Sequence, residues 1–258
     1  MGTLTASFEG DVAFVTGASG GMGRACVVAF AAAGAKVVCC DLNDEGGEET
    51  VALAAAAGGE AVYVRADVSD GPQVAAAVGE AVSRFGGLHC AVNAAAIETE
   101  TSLLHESSEA SFDKMIAVNL RGVFVSMQHE LTAILAAGRG GAVVNIASTN
   151  AFRPQPHQAS YTAAKHGVLG LTRAAALDYA PLGIRVNAIC PGGIDTPMLR
   201  NAMARRGRDP QDVIDRLSLL GRFGTPEEIA QAALWLCSDA SSYTVGHALA
   251  VDAGYLAR

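Results

Sequence analysis

The stretch VAFVTGASGGMGRACVVAFAAAG, residues 12–34, changes character twice. Its opening, VAFVT, is apolar without polar alternation, the pattern of a strand buried on both faces. The chain then passes Gly17, Gly21 and Gly23, spaced G-x-x-x-G-x-G, and enters an Ala-rich run that reads as a helix ending at Gly34. Glycines at a strand-to-helix turn permit a tight bend. They also let backbone N–H groups approach a pyrophosphate at the helix N-terminus. A glycine-rich turn that binds nothing has the same spacing, so the flanking sequence has to separate the two readings.

The next strand, KVVCCD (36–41), ends on Asp41, 24 residues after Gly17. A carboxylate at that place accepts hydrogen bonds from the ribose hydroxyls of NAD and repels the 2′-phosphate of NADP. Neither GASGG (17–21) nor DLNDEGG (41–47) carries a basic residue to hold that phosphate. The competing reading is that Asp41 caps the following turn. With Ser19, Met22 and Leu42 counted alongside, this end of the chain is expected to hold NAD.

Further out, β-branched runs continue to alternate with helical ones. AVYVRAD (61–67), LHCAVN (88–93), GAVVNIAS (141–148), IRVNAIC (184–190) and HALAVD (247–252) read as strands. Helices are expected near 44–57, 72–85, up to about 137, 158–180 and 226–238. Strict β-α order with uniformly apolar strands predicts an α/β fold: a doubly wound parallel sheet of about seven strands, helices on both faces, in one domain over 1–258. An eight-stranded barrel also fits the alternation, but the strand count and the glycine turn favour the open sheet. Asp67 and Val68 end the third strand and Asn93, Ala94 and Ala95 the fourth, at the edge where a ligand would lie.

Half of the 258 residues are hydrophobic, 17% are charged, and the formal net charge is −8. That balance argues against nucleic acid and against an anionic membrane surface as partners. No run reaches the ~18 apolar residues of a membrane span. MGTLTASFEGD (1–11) lacks the pattern of a secretory signal, and Ala6 stands where a myristoylation signal has Ser or Thr. Six cysteines without CxxC spacing read as small buried hydrophobes in a reducing cytoplasm, and no metal site is expected.

The chemistry is expected downstream. Ser148 closes the fifth strand, Tyr161 follows 13 residues later, and Lys165 lies one helical turn beyond Tyr161. A phenol is a poor base at neutral pH, but an adjacent ammonium favours its ionised form. Tyr161 is therefore expected to titrate below a free phenol and to exchange a proton with an alcohol while Ser148 holds the same oxygen.

Taken together, TGASGGMG, Asp67-Val68, VNLRGVF, Ser148, YTAAK, RVNAICPGGIDTPM and GRFGTPEEIAQAALWLCSDASSYTVGHALAVDAGY resemble the short-chain dehydrogenase/reductase family, from about Asp11 to Tyr255. The resemblance implies a Rossmann fold and a homotetramer. It places Asn119 with Ser148, Tyr161 and Lys165 as the catalytic set, Asn119 serving a water relay. Lys165 would also hold the nicotinamide ribose, and Pro191, Gly192, Ile194 and Thr196 would lie by the nicotinamide. Read without the family, Asn119 is a buried helix residue and Thr196 a helix cap. Two departures stand out: Asn93-Ala94-Ala95-Ala96 replaces the usual N-N-A-G, and His89 replaces a frequent Asp.

The expected activity is NAD-dependent interconversion of a secondary alcohol and its ketone. The alternatives are an NADP-dependent 3-oxoacyl-thioester reductase and a non-catalytic dinucleotide-binding regulator; the intact Asn-Ser-Tyr-Lys set argues against the second. One or two amphipathic helices over 198–220 should cover the substrate. Asn150, Phe152, Gln155, His157 and Met198 are the pocket candidates. Arg200, Arg205, Arg206 and Arg208 admit an anionic substrate, but are read as a solvated helix face balanced by Asp209, Asp212 and Asp215.

Overall fold

Every strand run found in the sequence joins one parallel sheet. The computed structural model describes residues 6–258; the N-terminal reading of residues 1–5 lies outside the described residues. The strands are β1 (Val12–Thr16), β2 (Lys36–Asp41), β3 (Glu60–Arg65), β4 (Cys90–Asn93), β5 (Gly141–Ile146), β6 (Ile184–Pro191) and β7 (Ala248–Val251). They lie in the order β3-β2-β1-β4-β5-β6-β7, each pair parallel. This is the doubly wound, Rossmann-like sheet. The chain runs outward from β1 to β3 and then returns to β4, so the switch point falls between β1 and β4.

Register sets the site. Cys40, Thr16, Asn93, Asn145 and Ala188 pair across β2, β1, β4, β5 and β6 as one rung near the carboxyl ends. Asp41, Gly17 and Ala94 come immediately after that rung, and Ser148 shortly after it.

Alternate residues of β1 feed two cores. Val12 and Phe14 face the side covered by α3 (Gly71–Phe85), α5 (Gly122–Ala137) and α6 (Ala159–Tyr179). Ala13 and Val15 face α1 (Gly21–Ala32), α2 (Asp44–Ala56) and α9 (Pro226–Cys237). A strand buried on both sides has no polar face, which is why its sequence does not alternate. All six cysteines are buried and unpaired, and burial raises the thiols of Cys26, Cys39 and Cys40. Among the described residues no helix is long and apolar enough to cross a membrane.

The helical region before residue 137 is broken. It contains α4 (Glu109–Ile116), a wider π turn over Ala117–Arg121, and then α5. Residues 198–220 form two helices, α7 (Pro197–Arg205) and α8 (Pro210–Leu217). The departure at His89 is structural. Its Nδ1 accepts the Val12 N–H at 2.9 Å, and burial beside Arg139 lowers its pKa.

Candidate functional site

The glycine turn is built by close approach. Gly17 has φ +67°, and a Cβ there would lie 2.6 Å from the Ala95 nitrogen. A Cβ on Gly23 would meet the Gly17 carbonyl oxygen at 2.1 Å. The cap of α1 is Gly20, which has no side chain to satisfy the first-turn N–H groups. Those groups face a groove lined by Gly17, Ser19, Gly21, Met22, Gly23 and Asp41 on one side and Ala94 and Thr196 on the other. A pyrophosphate fits such a cradle of free N–H groups and missing Cβ atoms.

Asp41 is fixed at the rim of this groove. Its Oδ2 accepts from Ser19 N at 3.0 Å, and its Oδ1 accepts from Leu42 N at 2.7 Å and Asn43 N at 3.1 Å. The turn-cap reading and the ligand reading therefore describe one carboxylate. Arg24, a cation not anticipated here, lies behind the turn. It donates to Ser19 O at 2.6 Å, Glu49 at 2.6 Å and Thr50 at 3.0 Å.

Five residues expected at this end, Leu42, Asp67, Val68, Asn93 and Ala95, are absent from the groove lining. Leu42 offers its backbone to Asp41 and exposes its side chain. The Asp67 carboxylate turns back onto Ser69, at 2.8 Å to N and 2.7 Å to Oγ. Val68 packs in the core against Gly122. Asn93 points its amide inward, donating to Glu130 and Asn145 at 3.0 Å each, because odd and even positions of a strand face opposite sides. Ala94 and Ala95 both donate their N–H to Thr16 Oγ1 at 3.2 Å. Ala96 is not among the residues with positive φ, so alanine fits without the strain that would demand glycine.

The chemical end is a second cavity. Ser148 and Tyr161 line it with Pro191, Gly192 and Ile194, and Met22, Thr196 and Met198 line both cavity and groove. Lys165 is 2% exposed. Its ammonium donates to Ile146 O at 2.8 Å and stands 5.7 Å from the centre of the Tyr161 ring. Burial pushes the phenol up to about 12, against a lowering interaction with Ser148 and with Glu98 and Cys190 raising it further. Burial also pulls Lys165 down to about 8. Low-dielectric surroundings disfavour charge on both partners, so in the chain by itself the phenol is not drawn below its ordinary value.

Asn119 is fully buried in the π turn. Its amide clasps the Ile97 backbone, accepting from N and donating to O at 2.8 Å each, and Nδ2 also reaches Met115 Sδ. Both donors of the amide nitrogen are engaged, so a water in the relay would have to meet this segment at the second lone pair of Oδ1 or at the backbone. Thr196 caps α7, its Oγ1 accepting from Leu199 N. Among the described residues no cluster of three or more His, Cys, Asp or Glu side chains is placed to hold a metal ion.

A family model described as enoyl-(acyl carrier protein) reductase matches residues 17–256. The 2,5-dichloro-2,5-cyclohexadiene-1,4-diol dehydrogenase of Sphingobium indicum is 42% identical over 250 residues, 96% of this chain and 98% of the relative. The chain belongs to the short-chain dehydrogenase/reductase family. The crystal structure of levodione reductase superposes on this dehydrogenase/reductase with a TM-score of 0.92, at 38% identity over 97% of this chain and 99% of the other. A solved structure from Agrobacterium tumefaciens with bound NADP gives 0.86 at 40% identity, covering 98% of each chain.

In this short-chain dehydrogenase/reductase the cover of the cavity is anchored by residues that sequence reasoning did not single out. Glu98 and Glu100 follow β4 and are nearly buried. Glu98 accepts from Arg206 at 2.5 Å and from Arg205 at 3.1 Å. Glu100 reaches across sixty residues to the start of α6, accepting from Ser160 N at 3.0 Å and Tyr161 N at 2.9 Å. The Gln158 cap has no side-chain bond there, so Glu100 supplies the missing acceptor and its charge matches the helix dipole. Glu100→Ala is expected to destabilise the fold by about 1–2 kcal/mol, lowering the thermal midpoint by roughly 2–8 °C. An unchanged midpoint in a melting curve would remove Glu100 from this role.

Of the expected pocket residues, Asn150, Gln155 and Met198 line the cavity, and Gln158 joins them. Phe152 and His157 do not. Both are exposed, because the 3-10 turn Thr149–Ala151 and the left-handed His157 (φ 63°) steer that loop outward.

Proposed function

We propose that this enzyme is NAD-dependent and interconverts a secondary alcohol and its ketone, with Tyr161 exchanging the hydroxyl proton. The junction carries the reading: Ser148 and Tyr161 line a cavity that shares Met22, Thr196 and Met198 with the glycine-turn groove. When bound, the oxidised nicotinamide accepts the hydride and brings a positive charge that offsets the buried phenol's reluctance to ionise. Tyr161 Oη takes the alcohol proton as the carbonyl forms, and gives it back in reduction. Ser148 hydrogen-bonds the same oxygen and fixes its position. Lys165, buried and held by Ile146 O, steadies the site below Tyr161 and would hold the nicotinamide ribose. The π turn at Asn119 keeps Ile97 and the segment leading to Glu98 in place. Helices α7 and α8 serve as the cover.

NAD is preferred over NADP because Asp41 holds a fixed carboxylate where a 2′-phosphate would sit. Arg24 is committed to Glu49, Thr50 and a backbone carbonyl, so it is not free to compensate. Asp41→Ala is expected to narrow the NAD-to-NADP ratio of kcat/KM about tenfold or more. An unchanged ratio would place Asp41 away from the ribose. A homotetramer is supported by the apolar strip of Leu120, Phe124, Gly167 and Leu171 on α5, α6 and the turn before α5, where Phe124 is half exposed. Six reduced, buried thiols suit the cytoplasm.

A further inference from the structure

The charge of the substrate cavity opposes that of the chain. The whole chain carries −8, yet the charged residues lining the cavity are Glu98, Arg206, Arg208 and Arg216. Glu98 is already spent on two partners, Arg205 and Arg206. Arg206 is nearly buried and also donates to Glu100 O at 2.5 Å, so it belongs to the frame of the cover.

Arg208 and Arg216 are left over. Among the described residues neither forms a salt bridge. Arg216 reaches only the neutral Gln155 Oε1, at 3.2 Å. Two of the three aspartates expected to balance them are engaged elsewhere: Asp209 caps α8 through Gln211 N at 2.7 Å, and Asp215 accepts from the Gln211 amide at 2.8 Å, while Asp212, in the first turn of α8, forms no salt bridge with either arginine among the described residues. Arg200, by contrast, pairs with Asp195 outside the cavity at 2.7 Å. Burial lowers the pKa of Arg208, and so do the facing charges of Arg216 and Arg206. The two guanidiniums repel one another, and at Arg208 that repulsion adds to the cost of burial and is only partly offset by Glu98.

Resting on the alcohol–ketone reading above, we infer that the physiological substrate is a hydroxy or keto acid whose carboxylate is held by Arg208 and Arg216. The rest of the wall is apolar, from Leu199, Ala202, Met203, Val213 and Leu217, so the body between carboxylate and reacting carbon is hydrocarbon. Guanidinium forks match a carboxylate in two parallel bonds and do not match a neutral group of the same shape.

The test uses the full enzyme saturated with NADH and a matched pair of ligands, cyclohexanecarboxylate and cyclohexanecarboxamide, titrated by calorimetry. The carboxylate is expected to bind at least about tenfold more tightly than the amide. Arg208→Gln and Arg216→Gln should each erase most of that difference, with NADH affinity as the check on folding. Arg200→Gln should leave the discrimination intact. Equal binding of the pair, or undetectable binding of both, overturns the inference. A competition arm with inorganic phosphate separates the two anions: phosphate displacing the carboxylate at equal concentration would also overturn the assignment to a carboxylic acid. Oxidation of cyclohexanol, read as NADH formation, reports the underlying alcohol reading separately, so loss of hydride transfer and loss of anion discrimination are distinguishable.

Discussion

Tyr161→Phe is expected to lower turnover by roughly two to four orders of magnitude while leaving NADH affinity within about twofold of the parent. The substitution removes one oxygen from a half-buried ring and nothing from the glycine turn or from Asp41, which lie in the neighbouring groove. Loss of chemistry with retained binding is therefore the signature of a proton-exchanging group. A residue that only shaped the cavity would shift KM instead. The phenol is pushed up to about 12 by burial, so it is protonated at neutral pH in the chain by itself. Oxidation of the alcohol needs the ionised form, whose fraction grows tenfold with each pH unit below that value. The parent's oxidative kcat/KM should accordingly rise with pH, and the residual rate of the Phe variant should not. Stopped-flow single turnovers over pH 6 to ~9 check both statements, since they isolate hydride transfer from product release. Turnover of the variant within tenfold of the parent would end the acid/base role.

The parts of this molecule that the sequence makes legible are those governed by local rules. Buried strands lack alternation, glycines mark places where backbone meets backbone, and Tyr161 and Lys165 share a helix face by spacing alone. VAFVT, KVVCCD and GAVVNI each became a strand for that reason. What was illegible depends on long-range packing. Glu98 and Glu100 sit in IETE (97–100), with no spacing that announces a partner, yet Glu100 caps a helix that begins sixty residues later. Phe152 and His157 lie in the right loop and face the wrong way, since a turn type and one left-handed residue decide which side chains enter the cavity. Asn93 was assigned to the cofactor by position, but strand parity turned it to the interior. The depth of Tyr161 and Lys165 was illegible too, because proximity is visible in spacing and burial is not.

That inward Asn93 meets a carboxyl that the chemistry does not use, and the second large effect is expected there. Glu130→Gln should stabilise the fold at pH 8 and above while changing little at pH 5. Glu130 is fully buried on α5. Its Oε2 accepts from Asn93 Nδ2 at 3.0 Å; the same nitrogen donates to Asn145 Oδ1 at 3.0 Å, and Asn145 donates to Thr172 Oγ1 at 3.0 Å. Among the described residues, Glu130 Oε1 and Asn93 Oδ1 have no partner. Burial pushes the carboxyl up to about 8, with the Asn93 bond pulling weakly the other way. The folded state thus keeps a proton that the unfolded chain releases near its ordinary value of 4.5. A raised folded pKa gives stability that is complete below the unfolded value and is lost as pH rises through the folded one. The window therefore runs from about pH 4.5 to about pH 8. The total is of order a few kcal/mol, or several degrees in thermal midpoint for a chain of this size. Glutamine keeps the shape, accepts the Asn93 bond through its carbonyl and carries no charge at any pH. Its N–H₂ also provides a donor in a network that has an idle acceptor. Unfolding midpoints of parent and variant at intervals from pH 5 to ~9 give the difference curve, in which every other titrating group cancels. The two profiles should coincide at the acid end and diverge in the variant's favour above neutrality. Parallel profiles would mean that Glu130 titrates alike in the folded and unfolded chain, and that its burial leaves no mark on stability.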